Sequence, residues 1–258
     1  MRLFTYGVAA AILAFAGGCG PKHTPAHEIT DLTLKAPNGI TLHASLFQAM
    51  DGHPPGILLV ADAKRDRHVW DGVAERLRAE QCMALTVELP RGCEGFAESD
   101  WDQVRDALAL AKKTLREHGA DPENLAVAGE GLAASLALHY ALQDPGIQAV
   151  ALISPDVEYR SMETASAMAR LKERPLLLMA AEGDAVSAAR AASLKTSSKG
   201  FCELRMYPGT AHGADLFAVS DHAVEQFLQW VSLTVGRKNS EGEGGDGQHH
   251  QPAHQLGQ

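Results

Sequence analysis

The chain has 258 residues, a formal net charge of -9, and a composition that is 45% hydrophobic but only 5% aromatic. Its acidic balance and the lack of a lysine–arginine patch interleaved with aromatics leave nucleic-acid binding without support. Residues 28–235 are one domain's worth of chain and long enough to bury a sizeable core.

The first segment reads as an export signal. Arg2 supplies positive charge, residues 3–16 are apolar, and Ala16-Gly-Gly-Cys19 places small residues before a cysteine. The apolar run is shorter than the roughly 20 residues of a membrane-spanning helix. This pattern resembles a bacterial lipoprotein signal, with Ala16 where leucine is more usual. The resemblance implies cleavage before Cys19, acylation there by chains such as palmitate, and anchoring in the lipid bilayer of the cell envelope. Gly20 after that cysteine resembles lipoproteins sorted to the outer membrane, facing the periplasm. Residues 1–18 are then the signal peptide and 19–27 a polar tether.

Strands and helices alternate through residues 28–235. Residues 28–34 and 40–47 predict a hairpin around Pro37-Asn-Gly39. Strands follow at 56–61 and 82–89, with an amphipathic helix at 69–80 between them that His68 and Trp70 start and pack. A long helix is expected over 101–118, ended by Gly119, then a strand over 124–128 and a helix over 132–142. Further strands are expected at 147–153, 175–180 and 202–207, with helices at 161–171, 185–194 and 216–233. A hairpin followed by regular strand–helix alternation predicts an α/β fold: a mostly parallel sheet with helices on both faces and little or no lid. From residue 236 the glycine-, glutamate- and histidine-rich tail cannot build a core and is expected to be disordered. His249, His250 and His254 within it read as solvated residues or as a loose metal-binding group.

Function in such sheets lies beyond the carboxyl ends of the strands. Three of those ends carry distinctive residues. The strand at 124–128 runs into Gly129-Glu130-Gly131-Leu132-Ala133 and then into an apolar helix. The strand at 175–180 is followed by Asp184 on a turn, and the strand at 202–207 by His212. An aspartate so placed would orient an imidazole, and the imidazole would take a proton from a hydroxyl. The competing reading makes Asp184 a helix cap and His212 a packed loop residue. Gly129-Glu-Gly131 lacks the trailing pattern of a nucleotide fingerprint, and no cysteine–histidine–carboxylate spacing predicts a zinc site or another cofactor. Of the four cysteines, Cys82 and Cys93 flank a strand and are held far apart, so no structural disulfide is expected.

Taken together these residues resemble the α/β-hydrolase superfamily, in particular its compact dienelactone-hydrolase-like and lipoprotein members. The resemblance rests on Asp66-Arg-His-Val-Trp70, Leu89-Pro-Arg-Gly-Cys-Glu-Gly95, the 129–133 elbow, Ser154-Pro-Asp-Val-Glu-Tyr-Arg160, Glu182-Gly-Asp184 and Tyr207-Pro-Gly-Thr-Ala-His-Gly213. It implies ester, thioester, lactone or peptide hydrolysis through an acyl-enzyme, with nucleophile, acid and histidine in that order. The chain departs from the pattern at the site itself. Gly131 stands at the nucleophile position, and Ala61-Asp62 stands where a histidine-led oxyanion loop is common. Cys93 stands where a second histidine often follows Arg-Gly, and Ala133 replaces the closing glycine. Asp62 would bring negative charge to the place where an oxyanion must develop.

Two functional classes follow. In the first, the protein is a lipid-anchored pseudoenzyme that binds a small molecule or an envelope partner. Asp184 and His212 are then a remnant acid and base, and Ala61, Asp62, Glu130 and Leu132 line the pocket. In the second it is an unconventional hydrolase using Cys93, Glu130 or a water activated by His212. Ser135, one turn along the helix, is expected to point into packing, and Arg91 and Glu94 to form a structural loop pair.

Overall fold

The computed structural model describes residues 29–36, 39–50, 52–90, 101–155 and 163–236. The expected signal segment with Cys19, the expected tether, the segment with Arg91, Cys93 and Glu94, and the tail histidines lie outside the described residues.

Eight strands form one sheet: β1 (Thr30–Lys35), β2 (Thr41–Phe47), β3 (Gly56–Val60), β4 (Met83–Val87), β5 (Leu125–Glu130), β6 (Ala149–Ile153), β7 (Leu176–Ala181) and β8 (Cys202–Tyr207). Their spatial order is β1-β2-β4-β3-β5-β6-β7-β8. β1 and β2 form the expected antiparallel hairpin, and β2 pairs antiparallel with β4. From β4 to β8 every pairing is parallel. The α/β class and N-terminal hairpin therefore stand as expected.

The helices are α1 (Asp71–Ala79), α2 (Trp101–Glu117), α3 (Leu132–Gln143), α4 (Thr164–Arg170), α5 (Ala185–Ser197), α6 (Asp215–Val219) and α7 (Asp221–Val235). Residues buried on α2, α3, α4 and α5 form one core with Leu58, Val60, Leu125 and Val127. Those on α1, α6 and α7 form the other core with Ile57, Leu59, Ala126 and Ala128. The two-residue period of a strand thus sorts neighbouring side chains onto opposite helical layers. Trp70, just before α1, packs against Phe217 of α6, which meets Phe227 of α7 and through it Trp230 of the same helix.

Several boundaries shift from the sequence reading, and two of the differences have a local cause. The helix expected to start at residue 69 begins as a 3-10 turn, Arg67–Trp70, because the Asp66 carboxylate accepts from the His68 N–H before α1 starts. The single closing helix expected over 216–233 is divided into α6 and α7. Ser220 is extended at φ -140° and ψ 99°, and its hydroxyl caps α7 by accepting from Ala223 N. Cys82 and Cys202 are free buried thiols, and burial pushes Cys82 up to about 12.

The end of α3 is clamped by a charged group. Asp144 accepts from Lys112 Nζ at 2.6 and 2.7 Å, from the Tyr140 hydroxyl at 2.8 Å and from Gly146 N at 2.9 Å. Burial alone would raise its carboxyl, but these donors outweigh burial and hold it below 3.8. A depressed carboxyl contributes stability that is present above the unfolded value and lost as pH falls through the folded value. Asp144→Asn is therefore expected to cost about 2 kcal/mol at neutral pH. The deficit should shrink below 3.8, as urea melts of both proteins across that range will show.

Candidate active site

The strand order places the site. β3 leads through α1 to β4 on one side, and β4 leads through α2 to β5 on the other, so the chain reverses direction at β3 and β5. Val60 lies opposite Gly129 in the parallel register, which brings the residues after β3 alongside the turn after β5. Open α/β sheets bind ligands at such a switch point.

Gly131 forms the turn between β5 and α3 at φ 54° and ψ -124°. A side chain is strained in this backbone conformation, by about 1–3 kcal/mol, and glycine is not. Its N–H donates to Ile153 O at 3.1 Å and its carbonyl accepts from Ala134 N at 3.2 Å, so the sharp turn is held from both sides. The elbow is kept in shape with no hydroxyl at its apex.

Asp184 and His212 do meet. Asp184 follows β7 and His212 follows β8, and His212 Nδ1 lies 2.7 Å from Asp184 Oδ2. Asp184 stands at the N-cap of α5, and its carboxylate meets both Ser187 in the first turn of that helix and the imidazole. Burial would raise its carboxyl; hydrogen bonds from Ser187 and His212 prevail and hold it below 3.8. The imidazole side chain is 39% exposed and the carboxylate 14%, so the ring faces solvent and its partner sits behind it. This is the arrangement of a base with its orienting acid.

Asp62 and Glu130 shape the rest. Asp62 Oδ1 accepts from Leu132 N at 2.9 Å. Leu132 follows Gly131 and opens α3; in nucleophile elbows of the α/β-hydrolase fold the corresponding N–H contributes to an oxyanion hole. A Cβ on residue 131 would stand 3.0 Å from both Cγ and Oδ1 of Asp62. Glu130 is fully buried. Its Oε1 accepts from Asp62 N at 3.2 Å, while Oε2 accepts from Ala214 N at 2.5 Å and from Arg65 Nη1 at 3.2 Å. Arg65 also donates to Asp215 Oδ1 at 2.5 Å and to His212 O at 3.4 Å. Burial raises the Glu130 carboxyl above 4.5, with the Ala214 N–H and Arg65 opposing it. One acidic side chain thus joins the loop after β3, the elbow and the loop carrying His212.

The residues expected to line a pocket differ in exposure. Ala61 and Glu130 are fully buried and Leu132 is 8% exposed, so Asp62 is the expected lining residue that presents most surface. Glu130 leaves the lining because its carboxylate turns inward to Arg65 and two backbone donors, which also removes it as an accessible nucleophile. Ser135 is buried and accepts from Thr164, as expected of a packing residue. His139 packs edge-on against Trp101 at 6.4 Å. Sequence reasoning passed over Arg65, whose only signal is a cation three residues after Asp62. Ser154, cited in the sequence only as the start of a resemblance motif, is buried at φ 44° and its hydroxyl has no partner among the described residues. Among the described residues no group of three His, Cys, Asp or Glu side chains could hold a metal ion. A cavity of about 320 Å³ between α1 and α7, lined by Pro55, Leu77, Cys82 and Leu228, lies at the opposite end of the sheet.

No protein-family model matches the chain, and no curated protein matches it by sequence. Solved structures do match by fold. A dienelactone hydrolase from Anabaena variabilis is 17% identical with a TM-score of 0.65, covering 81% of this chain and 98% of its own. The α/β hydrolase GrgF from a Penicillium species is 12% identical with a TM-score of 0.66, covering 81% and 100%. An esterase from Pyrobaculum calidifontis is 16% identical with a TM-score of 0.61, covering 81% and 86%. The protein has the α/β-hydrolase fold, of the compact kind seen in dienelactone hydrolase.

Proposed function

We propose that this protein is a lipid-anchored, non-catalytic member of the hydrolase fold that binds a small molecule or an envelope partner. One observation carries the reading: the elbow apex is Gly131, and Asp62 stands against it where a nucleophile and its oxyanion would need room. The Ala16-Gly-Gly-Cys19 pattern supports anchoring through acylated Cys19, and Gly20 supports an outer-membrane destination facing the periplasm. Among the described residues no helix is long and apolar enough to cross a membrane. Cys19→Ser is expected to move the protein from the membrane fraction to the soluble one; an unchanged distribution would remove the anchor from this reading.

The 2.7 Å contact between His212 and Asp184 favours a second reading, an unconventional hydrolase that works through activated water or Cys93. The deciding assay uses short acyl esters and thioesters with wild type, Gly131→Ser and His212→Ala. Wild type is expected to show no turnover above the uncatalysed rate, and Gly131→Ser to fold with a loss of about 1–3 kcal/mol from its strained φ. Wild-type turnover abolished by His212→Ala would overturn the non-catalytic reading. Sensitivity of that turnover to thiol alkylation would then point to Cys93.

A further inference from the structure

The missing serine is one of two changes at the elbow. The second is an anion already in place. Leu132 is the first residue of a twelve-residue helix, and its N–H is one of the donors that a helix leaves unpaired at its start. The N-cap residue, Gly131, makes no side-chain cap hydrogen bond. Asp62 supplies the acceptor from the neighbouring loop, at 2.9 Å. A carboxylate is favoured there by the positive end of the helix as well as by the hydrogen bond. Glu130 fixes the loop beneath it by accepting from Asp62 N, so Asp62 is held by its backbone and by its side chain.

We propose that Asp62 is a built-in oxyanion: its carboxylate occupies the donor that would stabilise a tetrahedral intermediate and keeps the site shut to acyl transfer independently of residue 131. The proposal rests on the vacant-elbow reading and deepens it by assigning a second block. Three physical effects act in the same direction. The Leu132 N–H is already engaged, so an incoming carbonyl oxygen must displace an anion to reach it. The negative charge of Asp62 opposes the charge that develops on that oxygen. The space beside residue 131 is filled to 3.0 Å, so a serine Cβ would press on the carboxylate. Had Asp62 been only a distant helix cap, the first of these effects would remain and the last would not.

The inference separates two variants that differ in one residue. Gly131→Ser restores the hydroxyl and leaves the anion; Gly131→Ser with Asp62→Ala restores the hydroxyl and frees the donor. A fluorophosphonate serves as probe. The serine oxygen attacks phosphorus, fluoride leaves, and the hydroxyl proton passes to His212. p-Nitrophenyl acetate reports turnover in the same proteins. Loss of a single oxyanion donor costs a factor of about 10²–10³ in rate, so the double variant should be labelled and turn over faster than the single variant by about that factor. The denaturant midpoint gives a readout without chemistry. Gly131→Ser should lower it by less when residue 62 is alanine, because the two sites touch and their effects are not additive. Asp62→Gly replaces Asp62→Ala if the latter does not fold. Equal labelling of the single and double variants, fast or undetectable, overturns the proposal, as do additive midpoint shifts. Either result leaves the non-catalytic reading standing, since that reading fails on wild-type turnover lost in His212→Ala.

Discussion

Gly129→Ala is expected to cost about 4 kcal/mol or more, a large fraction of the roughly 5–15 kcal/mol that holds a domain folded. A Cβ at this position would lie 2.2 Å from Ala133 O, 2.5 Å from Ala133 C and 2.8 Å from Ala134 N. All three are backbone atoms in the first turn of α3, so no rotamer change relieves the clash. The helix must lift from β5 or the strand must shift against β3 and β6, and both neighbours are paired to it in register. Overpacking of a rigid core is destabilising for this reason. Urea unfolding of the variant beside Gly72→Ala provides the control. Gly72 lies in α1 with nothing within 4 Å of its would-be Cβ, and there alanine should add about 0.5–1 kcal/mol. If the two alanine variants unfold together, the close approach at the elbow is not what holds the strand and helix.

The second large effect is at Glu130. Glu130→Ala should destabilise by about 3–5 kcal/mol, the range for breaking a buried ion pair by removing one partner. The loss has three parts: Arg65 keeps only Asp215 and a long contact to His212 O, and the N–H groups of Asp62 and Ala214 lose their acceptor. The cost is tempered at Arg65, whose side chain is 23% exposed and can recover water. Arg65→Met combined with Glu130→Leu should therefore be milder than Glu130→Ala alone, and a double variant that is worse would count against an electrostatic origin. Glu130 also carries a pH signature. Burial raises its carboxyl above 4.5, so the folded state favours the proton and loses stability as pH rises from 4.5 through the folded value. Glu130→Gln should remove that slope, which acid titrations followed by chemical melts will register.

Much of this molecule was legible in its order of residues. Short, continuously apolar strands alternating with helices specify a parallel sheet between two helical layers, because such strands must be covered on both faces. The elbow could be read as well, since a strand, Gly-Glu-Gly and an apolar helix leave few other local conformations. Asp184 and His212 were placed correctly on the ends of β7 and β8. Their 2.7 Å contact was not legible, because 28 residues of helix, strand and loop decide whether two turns meet. The division between α6 and α7 was missed for a local reason. Ser220 lies inside a helical hydrophobic period, and its hydroxyl competes with the helix for a backbone partner.

The sequence by itself determined the α/β class, the missing hydroxyl at residue 131 and the candidate acid and base, since each depends on residue type and local period. Only the tertiary structure decided what Asp62 and Glu130 do. Asp62 is 70 residues from Leu132, and Glu130 is 84 residues from Ala214. The parallel register of β3 with β5 brings the first pair together, and the loop after β8 brings Ala214 to Glu130. A carboxylate next to the elbow can face solvent or turn into the protein from the same sequence. Here the half-buried Arg65 and the buried Ala214 N–H make the inward position of Glu130 favourable, and the N–H at the start of α3 does the same for Asp62.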